Sequence, residues 1–289
     1  TKPICTATLA ALFIKEKVLK PSDTIHNWLG VRAAKAIHKK ITIEHLLNHK
    51  SGLPAWQPFY QGLPLEMIGS PAAHDFILEA CLQEETIEPI GTKTIYSDIG
   101  YIILGEILVE VGNETLSSLF TKKVSTPFKL ADTFFNNNSK NLAKKHFAPT
   151  EDCPWRKRVL QGEVDDQHAA ALGGTAGHAG LFSKASDIHQ FFSTWLKMHS
   201  FDFAKVKNRG DAFLDGWNLP SKRNSTAGSF FSKSSIGHLG YTGCSIWSDL
   251  EKDCWIILLS NRVNLTSTNK KIQAFRPAIH DLVMQELIL

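Results

Sequence analysis

Apolar side chains fall on nearly every side of a helix between Pro3 and Val18, where Ala7, Ala10 and Ala11 favour continuation and Pro3 suits a first turn. A helix that is apolar all round is buried, not laid on a surface. Ile43 to Asn48 begins a second, short helix that breaks at Ser51-Gly52-Leu53-Pro54. Ala73 to Glu84 reads as a third. From Ile99, the residues Ile103, Leu104, Ile107, Leu108 and Val111 recur at helical spacing, and Gly112-Asn113 supplies the stop. Residues 130 to 170 are polar and irregular, with Asn136, Asn137 and Asn138 in a row, and are expected to be exposed connections. The glycine-rich run Gly173-Gly174-Thr175-Ala176-Gly177-His178-Ala179-Gly180 follows, and Asp187 to Met198 then alternates as an amphipathic helix.

The last seventy residues change character. His238 to Trp247 and Cys254 to Leu259 are rich in β-branched and aromatic residues, and Asp249-Leu250-Glu251-Lys252-Asp253 has the composition of a hairpin turn. Ile272 to Leu289 closes the chain as a helix. Helices first, then a hairpin and a covering helix, predict an α+β fold with an antiparallel sheet. There are no internal repeats and no low-complexity tracts.

With 289 residues, the chain is long enough to bury a sizeable core. A net charge of +4, scattered without a basic run, argues against a nucleic-acid partner. No stretch approaches the roughly 18 apolar residues of a membrane span. The run from Ile4 to Ile14 lacks a small-residue cleavage site and is followed by Lys15-Glu16-Lys17, so it reads as buried helix and not as a signal peptide. The first residue is Thr1, not methionine, and residues are expected upstream of it. Five dispersed cysteines without CxxC spacing suggest neither a disulfide framework nor a thiolate metal site. Each is expected to pack as a small apolar group.

Three segments carry chemistry. Lys2 stands where a buried helix begins, in Thr1-Lys2-Pro3-Ile4-Cys5-Thr6-Ala7-Thr8-Leu9. Tyr96-Ser97-Asp98 immediately precedes a second apolar helix. Gly237-His238-Leu239-Gly240-Tyr241-Thr242-Gly243 lies in a strand region. An alcohol becomes a nucleophile only when a base takes its proton, and a three-residue helical step puts both on one face. Taken together and in order, the segments resemble the active-site motifs of penicillin-recognising serine hydrolases of the class C β-lactamase and esterase type. Lys2 resembles the lysine of the S-x-x-K motif. Its serine would sit two positions before Thr1, so the chain reads as starting just after its nucleophile. Tyr96-Ser97-Asp98 resembles the tyrosine-x-asparagine motif, and a phenol there shuttles a proton. His238-Leu239-Gly240 resembles the third motif, on the strand lining the cleft. The resemblance extends through Ile41 to Pro54, Ser260-Asn261-Arg262-Val263 and Arg276 to Asp281.

The resemblance implies catalytic roles for Lys2, Tyr96 and His238. It implies substrate or oxyanion contacts at Asp98, Gly240 and the backbone N–H of Tyr241. Aspartate at 98 accepts hydrogen bonds but cannot donate them as asparagine does. His238, in place of a lysine, can lose its charge near neutral pH. Both features tilt the expectation from β-lactam hydrolysis towards an esterase or D-alanyl peptidase.

Other chemistries fit less well. His45 and His49 stand four apart, as metalloprotease ligands do, but Leu46 replaces the glutamate that makes such a pair catalytic. The glycine-rich run lacks G-x-G-x-x-G order. Thr1 as an N-terminal nucleophile would require a strand where the sequence reads helix.

The expected fold is β-lactamase/DD-peptidase-like: an antiparallel sheet flanked by helices, plus a mostly helical subdomain, with the family's N-terminal strands missing and one sheet edge left unpaired. Residues 1–20 form a helix at the floor of the cleft, 21–165 the helical subdomain and 166–289 the α/β subdomain. The expected partner is an ester, a muropeptide or a β-lactam. No cofactor, metal, nucleic acid or membrane span is expected. The alternative is a non-catalytic module that binds peptidoglycan or a protein partner. The resemblance alone suggests a bacterial periplasm or cell envelope.

Overall fold

A computed structural model describes residues 1–136, 146–198 and 212–288. The expectation for Asn137 and Asn138 lies outside these. The chain forms two compact units. One comprises Thr1–Ala143 with Glu163–Ser183, the other Lys144–Gly162 with Lys184–Leu289.

The first unit is helical and is organised around the helix Asp98–Gly112. Ser97 caps it by accepting the Gly100 N–H at 3.0 Å, and Asn113 ends it in the left-handed region at φ 49°. Ile103, Leu104, Ile107 and Leu108 are wholly buried, each worth about 1.5–3 kcal/mol relative to exposure. Shorter helices Ile25–Leu29 and Ile43–Leu47 pack against it, as does Pro71–Gln83. Thr24 with Asn27, and Thr42 with His45, form reciprocal caps that let five-residue helices hold their ends. The first helix also packs there. It opens as a π-helical segment, Lys2–Ala7, and continues as Thr8–Lys15.

In the second unit, five strands run antiparallel in the order Phe213–Leu214, Trp217–Asn218, Ser235–Leu239, Ser245–Asp249, Cys254–Leu258. Gly237 faces Trp247 across the ladder. A Cβ at Gly237 would lie 2.3 Å from the Trp247 ring, so only glycine lets the indole cross that strand. Trp247 centres a cluster with Ala227, Phe231 and Met284, the last on the helix Ile272–Ile288. The helix Ala185–Met198 lays Phe192 and Trp195 on Trp217, with ring centroids 5.4 and 5.0 Å apart.

The α+β expectation therefore holds: an antiparallel sheet with flanking helices. Two local expectations do not. His238 to Trp247 is not one strand: a turn closed by Gly240 N–H to the Cys244 carbonyl at 2.7 Å divides it, and Gly240 lies just past the strand end. The described part of residues 130 to 170 is not simply exposed. Leu130, Phe135, Cys153 and Leu160 are buried on or beside the strand pairs Phe134–Phe135 with Leu181–Phe182 and Asp152–Cys153 with Arg158–Val159, and His168 is buried in the short helix Gln167–Ala171. Sparse apolar residues without a period conceal such short pairings. All five cysteines are free.

Candidate active site

Lys2 sits in the first turn of the π-helical segment and is 5% exposed. Pro3 follows it without an N–H to spend, and the Thr6 amide reaches back five residues to the Thr1 carbonyl at 3.4 Å. This widened turn is a form often found at functional sites. Burial of an ammonium is costly unless it is paired. Lys2 Nζ is paired with the Asp98 carboxylate at 2.6 Å, lies 4.8 Å from the centroid of the Tyr96 ring, and donates to the His178 carbonyl at 3.3 Å. Burial pulls the Lys2 pKa down. The attraction and hydrogen bonds of Tyr96 and Asp98 outweigh it and raise the pKa above the ordinary lysine value. Lys2 is a cation here.

Tyr96 and Asp98 are presented by a tightly held segment. The Asp98 N–H donates to the Ala55 carbonyl at 2.8 Å, and Ser97 Oγ donates to the Pro54 carbonyl at 2.6 Å. Ser97 thus caps the helix and anchors the motif, while Asp98 is left to face Lys2. The Tyr96 side chain remains 41% exposed, open to a substrate.

His49 is the residue that motif reading passed over. It does not share a helix face with His45. The helix ends at Leu47, and His49 takes a left-handed backbone at φ 56°. His45 Nδ1 accepts the Thr42 N–H at 3.1 Å, and His49 Nδ1 accepts the Ser97 N–H at 3.0 Å. The His49 ring lies tilted against those of Tyr96 and Tyr101, with centroids 4.6 and 4.8 Å apart. Burial, aided by Lys2, pushes its pKa down to about 3, so a neutral imidazole supports the phenol.

The glycine-rich run is held against the first helix. Thr6 Oγ1 donates to the Gly177 carbonyl at 2.5 Å, and Thr1 Oγ1 accepts the Leu181 N–H at 3.0 Å. Thr1 starts a helix and steadies this loop. Gly177 is in turn pressed on the central helix: a Cβ there would meet the Tyr101 carbonyl oxygen at 2.1 Å.

Beside the loop, three side chains that carry no motif come together. Asp166 accepts from His178 Nε2 at 2.7 Å and caps a short helix through the Ala169 N–H at 2.8 Å. Burial opposes ionisation of Asp166, but the charge and hydrogen bond of His178 outweigh it and hold the carboxyl well below the usual carboxylate range. His168, 1% exposed, lies among the rings of Trp56, Phe59 and Tyr60 with centroids 5.6–5.8 Å away. Among the described residues neither of its ring nitrogens has a hydrogen-bond partner. Each such buried polar atom costs about 1–3 kcal/mol. No sequence signal marked this trio beyond the recurrence of histidine around the glycine run.

A separate cavity of about 350 Å³ lies in the same unit, lined by His74, Ile102, Glu106, Leu116, Thr175 and Ala176 among others, with none of Lys2, Tyr96 or Asp98 in its wall.

His238, Gly240 and Tyr241 belong to the second unit. His238 is 7% exposed and lies on the strand Ser235–Leu239, its Nδ1 2.9 Å from the Leu239 carbonyl oxygen. Tyr241 is 65% exposed in the following turn. Arg276 holds that turn by donating to the carbonyls of Gly240 at 2.6 Å, Cys244 at 2.8 Å and Gly243 at 3.2 Å. Sequence reasoning gave Arg276 no task of its own.

Comparison with known proteins places these features in a family. The family model described as Beta-lactamase matches residues 1–276. The chain is 30% identical over 251 residues to "N-acetylmuramyl-L-alanine amidase" of Bacillus subtilis (strain 168), covering 77% of this chain and 56% of that protein. It thus spans little more than half the length of that relative. Among solved structures, the penicillin binding protein from Bacillus halodurans superposes with a TM-score of 0.68 at 15% identity, covering 96% of this chain and 83% of the other. EstCE1, a hydrolase with promiscuous acyltransferase activity, gives 0.67 at 21% identity, with 96% and 82% covered. At such identities the structures speak for the fold alone. Among the described residues, no helix is long and apolar enough to cross a membrane.

Proposed function

The chain belongs to the beta-lactamase family, and from that premise we propose that it carries most of the acyl-transfer site of a serine hydrolase. One observation carries the reading: the Lys2–Asp98 ion pair of 2.6 Å, set 4.8 Å from the ring of a solvent-accessible Tyr96. The nucleophile is assigned to the serine of the S-x-x-K motif, two positions before Thr1 in the whole protein.

Lys2 is not the base in this reading, because its environment favours the protonated form. It serves as a fixed cation that makes negative charge on the neighbouring phenol oxygen less costly. The Tyr96 oxygen takes the serine proton as the serine oxygen bonds to the carbonyl carbon. It then gives the proton to the departing alcohol or amine as that bond breaks. Water releases the acyl group by the reverse route. The N–H of Tyr241, with that of the serine, receives the oxyanion, and Arg276 fixes the turn that presents it. His238 is assigned to the same reaction as the imidazole that stands in the third motif, on the strand Ser235–Leu239.

Asp98 is spent on Lys2, which supports an ester or D-alanyl peptide substrate over a β-lactam. The name of the Bacillus subtilis relative, an N-acetylmuramyl-L-alanine amidase, supports a cell-wall peptide as the substrate class.

The test uses the full-length protein with its upstream residues, treated with a fluorescent penicillin and a fluorophosphonate. One labelled serine is expected, with labelling abolished by its replacement with alanine and slowed in Tyr96→Phe and His238→Ala. A protein that stays unlabelled while binding muropeptides would instead be a non-catalytic binding module.

A further inference from the structure

The trio beside the glycine-rich loop has no task in that reaction. Asp166 and His168 are two residues apart, and the chain returns ten residues later through the Gly173–Gly180 turn to place His178 against them. One potential ligand atom from each residue lies within 4.8 Å of the others. His168 and His178 are 1% and 4% exposed. His178 Nδ1 and both nitrogens of His168 lack a hydrogen-bond partner among the described residues.

A neutral imidazole always has one nitrogen that must accept and one that must donate. Leaving both idle in a wall of aromatic rings is what an unloaded ligand looks like, since buried polar groups are otherwise almost always satisfied. Two imidazoles and a carboxylate form an N/O donor set suited to Zn²⁺, which binds nitrogen and oxygen at about 2.0–2.2 Å and commonly leaves a fourth position open. Tetrahedral closure at those lengths brings ligand atoms to roughly 3.3–3.4 Å from one another. The trio therefore needs side-chain movements of about an ångström to reach it. Such a trio escapes sequence reading, because its spacing matches no zinc signature.

We propose that Asp166, His168 and His178 form a Zn²⁺ site beside the Lys2–Asp98 pair. The ion would join the residues that open and close the glycine-rich turn. His178 would connect it to the catalytic side, since its carbonyl accepts the Lys2 ammonium at 3.3 Å. The site does not depend on the acyl-transfer reading and would stand if that reading failed.

Titration calorimetry of the chelator-stripped full-length protein with zinc chloride tests it. Uptake of Zn²⁺ is expected in wild type and in His74→Asn, a control at a half-exposed histidine. In His168→Phe, which keeps an aromatic ring in the same wall, affinity for this ion should fall by at least about 10- to 100-fold. That is the loss known when only a partner of a metal ligand is removed. X-ray absorption of the zinc-loaded wild type should show two imidazoles and a carboxylate oxygen. The proposal is overturned if the wild type takes up no zinc, or if a folded His168→Phe binds it as well as wild type does. Should His168→Phe not fold, absorption spectra showing fewer than two imidazoles on wild-type zinc would overturn it equally.

Discussion

The two units both bury charge, and they use it in opposite ways. In the sheet unit, Asp249 is fully buried and its carboxylate is saturated by local donors: the Ser232 N–H and Oγ, both at 2.7 Å, and the N–H groups of Glu251 at 3.0 Å and Lys252 at 3.2 Å. Arg276 likewise spends its guanidinium on three carbonyls of one turn. In the helical unit, Lys2 meets Asp98, and Asp166 meets His178, side chain to side chain. Charge saturated by several fixed local donors holds geometry. Charge paired with another titratable side chain stays available to protons, substrates or ions.

The largest effect that sharpens this contrast is kinetic. Tyr96→Phe should slow serine acylation of the full-length protein by about 10²- to 10⁴-fold, the usual worth of a proton-transferring group. Urea unfolding should move by only about 1 kcal/mol, because the ring stays in place on His49 and just the phenol's hydrogen bond to Lys2 is lost. Equal losses in both measurements would make Tyr96 a packing residue and erase the distinction.

Asp249→Ala should show the reverse. It strips an acceptor from several buried donors and should cost roughly 4 kcal/mol, at about 1–3 for each donor left unpaired. A midpoint in urea close to that of wild type would mean that this carboxylate is not structural. Gly177→Ala should cost about 3 kcal/mol, since its methyl must displace the central helix backbone at Tyr101.

A pH series reaches the helical unit specifically. His49 binds a proton near pH 6.5 when unfolded but only near 3 when folded. Below 6.5 the unfolded chain holds the extra proton, so stability falls with pH by about 1.4 kcal/mol per unit, or about 2 kcal/mol between pH 7 and pH 5. His49→Asn keeps a residue that tolerates the left-handed backbone and should flatten that slope. The Lys2 pair carries the opposite sign. Its folded pKa is raised, so its contribution is fully present below the ordinary value of 10.5 and is lost only as pH rises through the folded value. The smallest effect is at Ser97→Ala, about 1 kcal/mol for a lost helix cap, read from thermal unfolding.

Much of this was legible along the chain. The helix starting at Asp98 announces itself through Ile99, Ile103 and Ile107, and its stop through Gly112-Asn113, because those signals are made by neighbours one turn apart. Lys2, Tyr96 and Asp98 were likewise visible as motif residues. The 2.6 Å ion pair that joins Lys2 to Asp98 is made by packing, since the segment around residue 96 alone does not hold the cation that Asp98 faces. His49 was misjudged because its spacing from His45 suggested a shared helical face, whereas the helix ends at Leu47. Residues 130 to 170 looked exposed because two-residue strands carry too little pattern to be seen.

The sequence alone determined what local sterics and periodicity control: which stretches coil, where they stop, and which chemical groups the chain has to offer. Tertiary structure decided which of those groups meet. Lys2 reaches a carbonyl 176 residues away, and the ring of Trp247 lies across Gly237 on the neighbouring strand. Such encounters are set by the packing of whole helices and strands. Their energies come from desolvation and close contact, which no short window of residues contains.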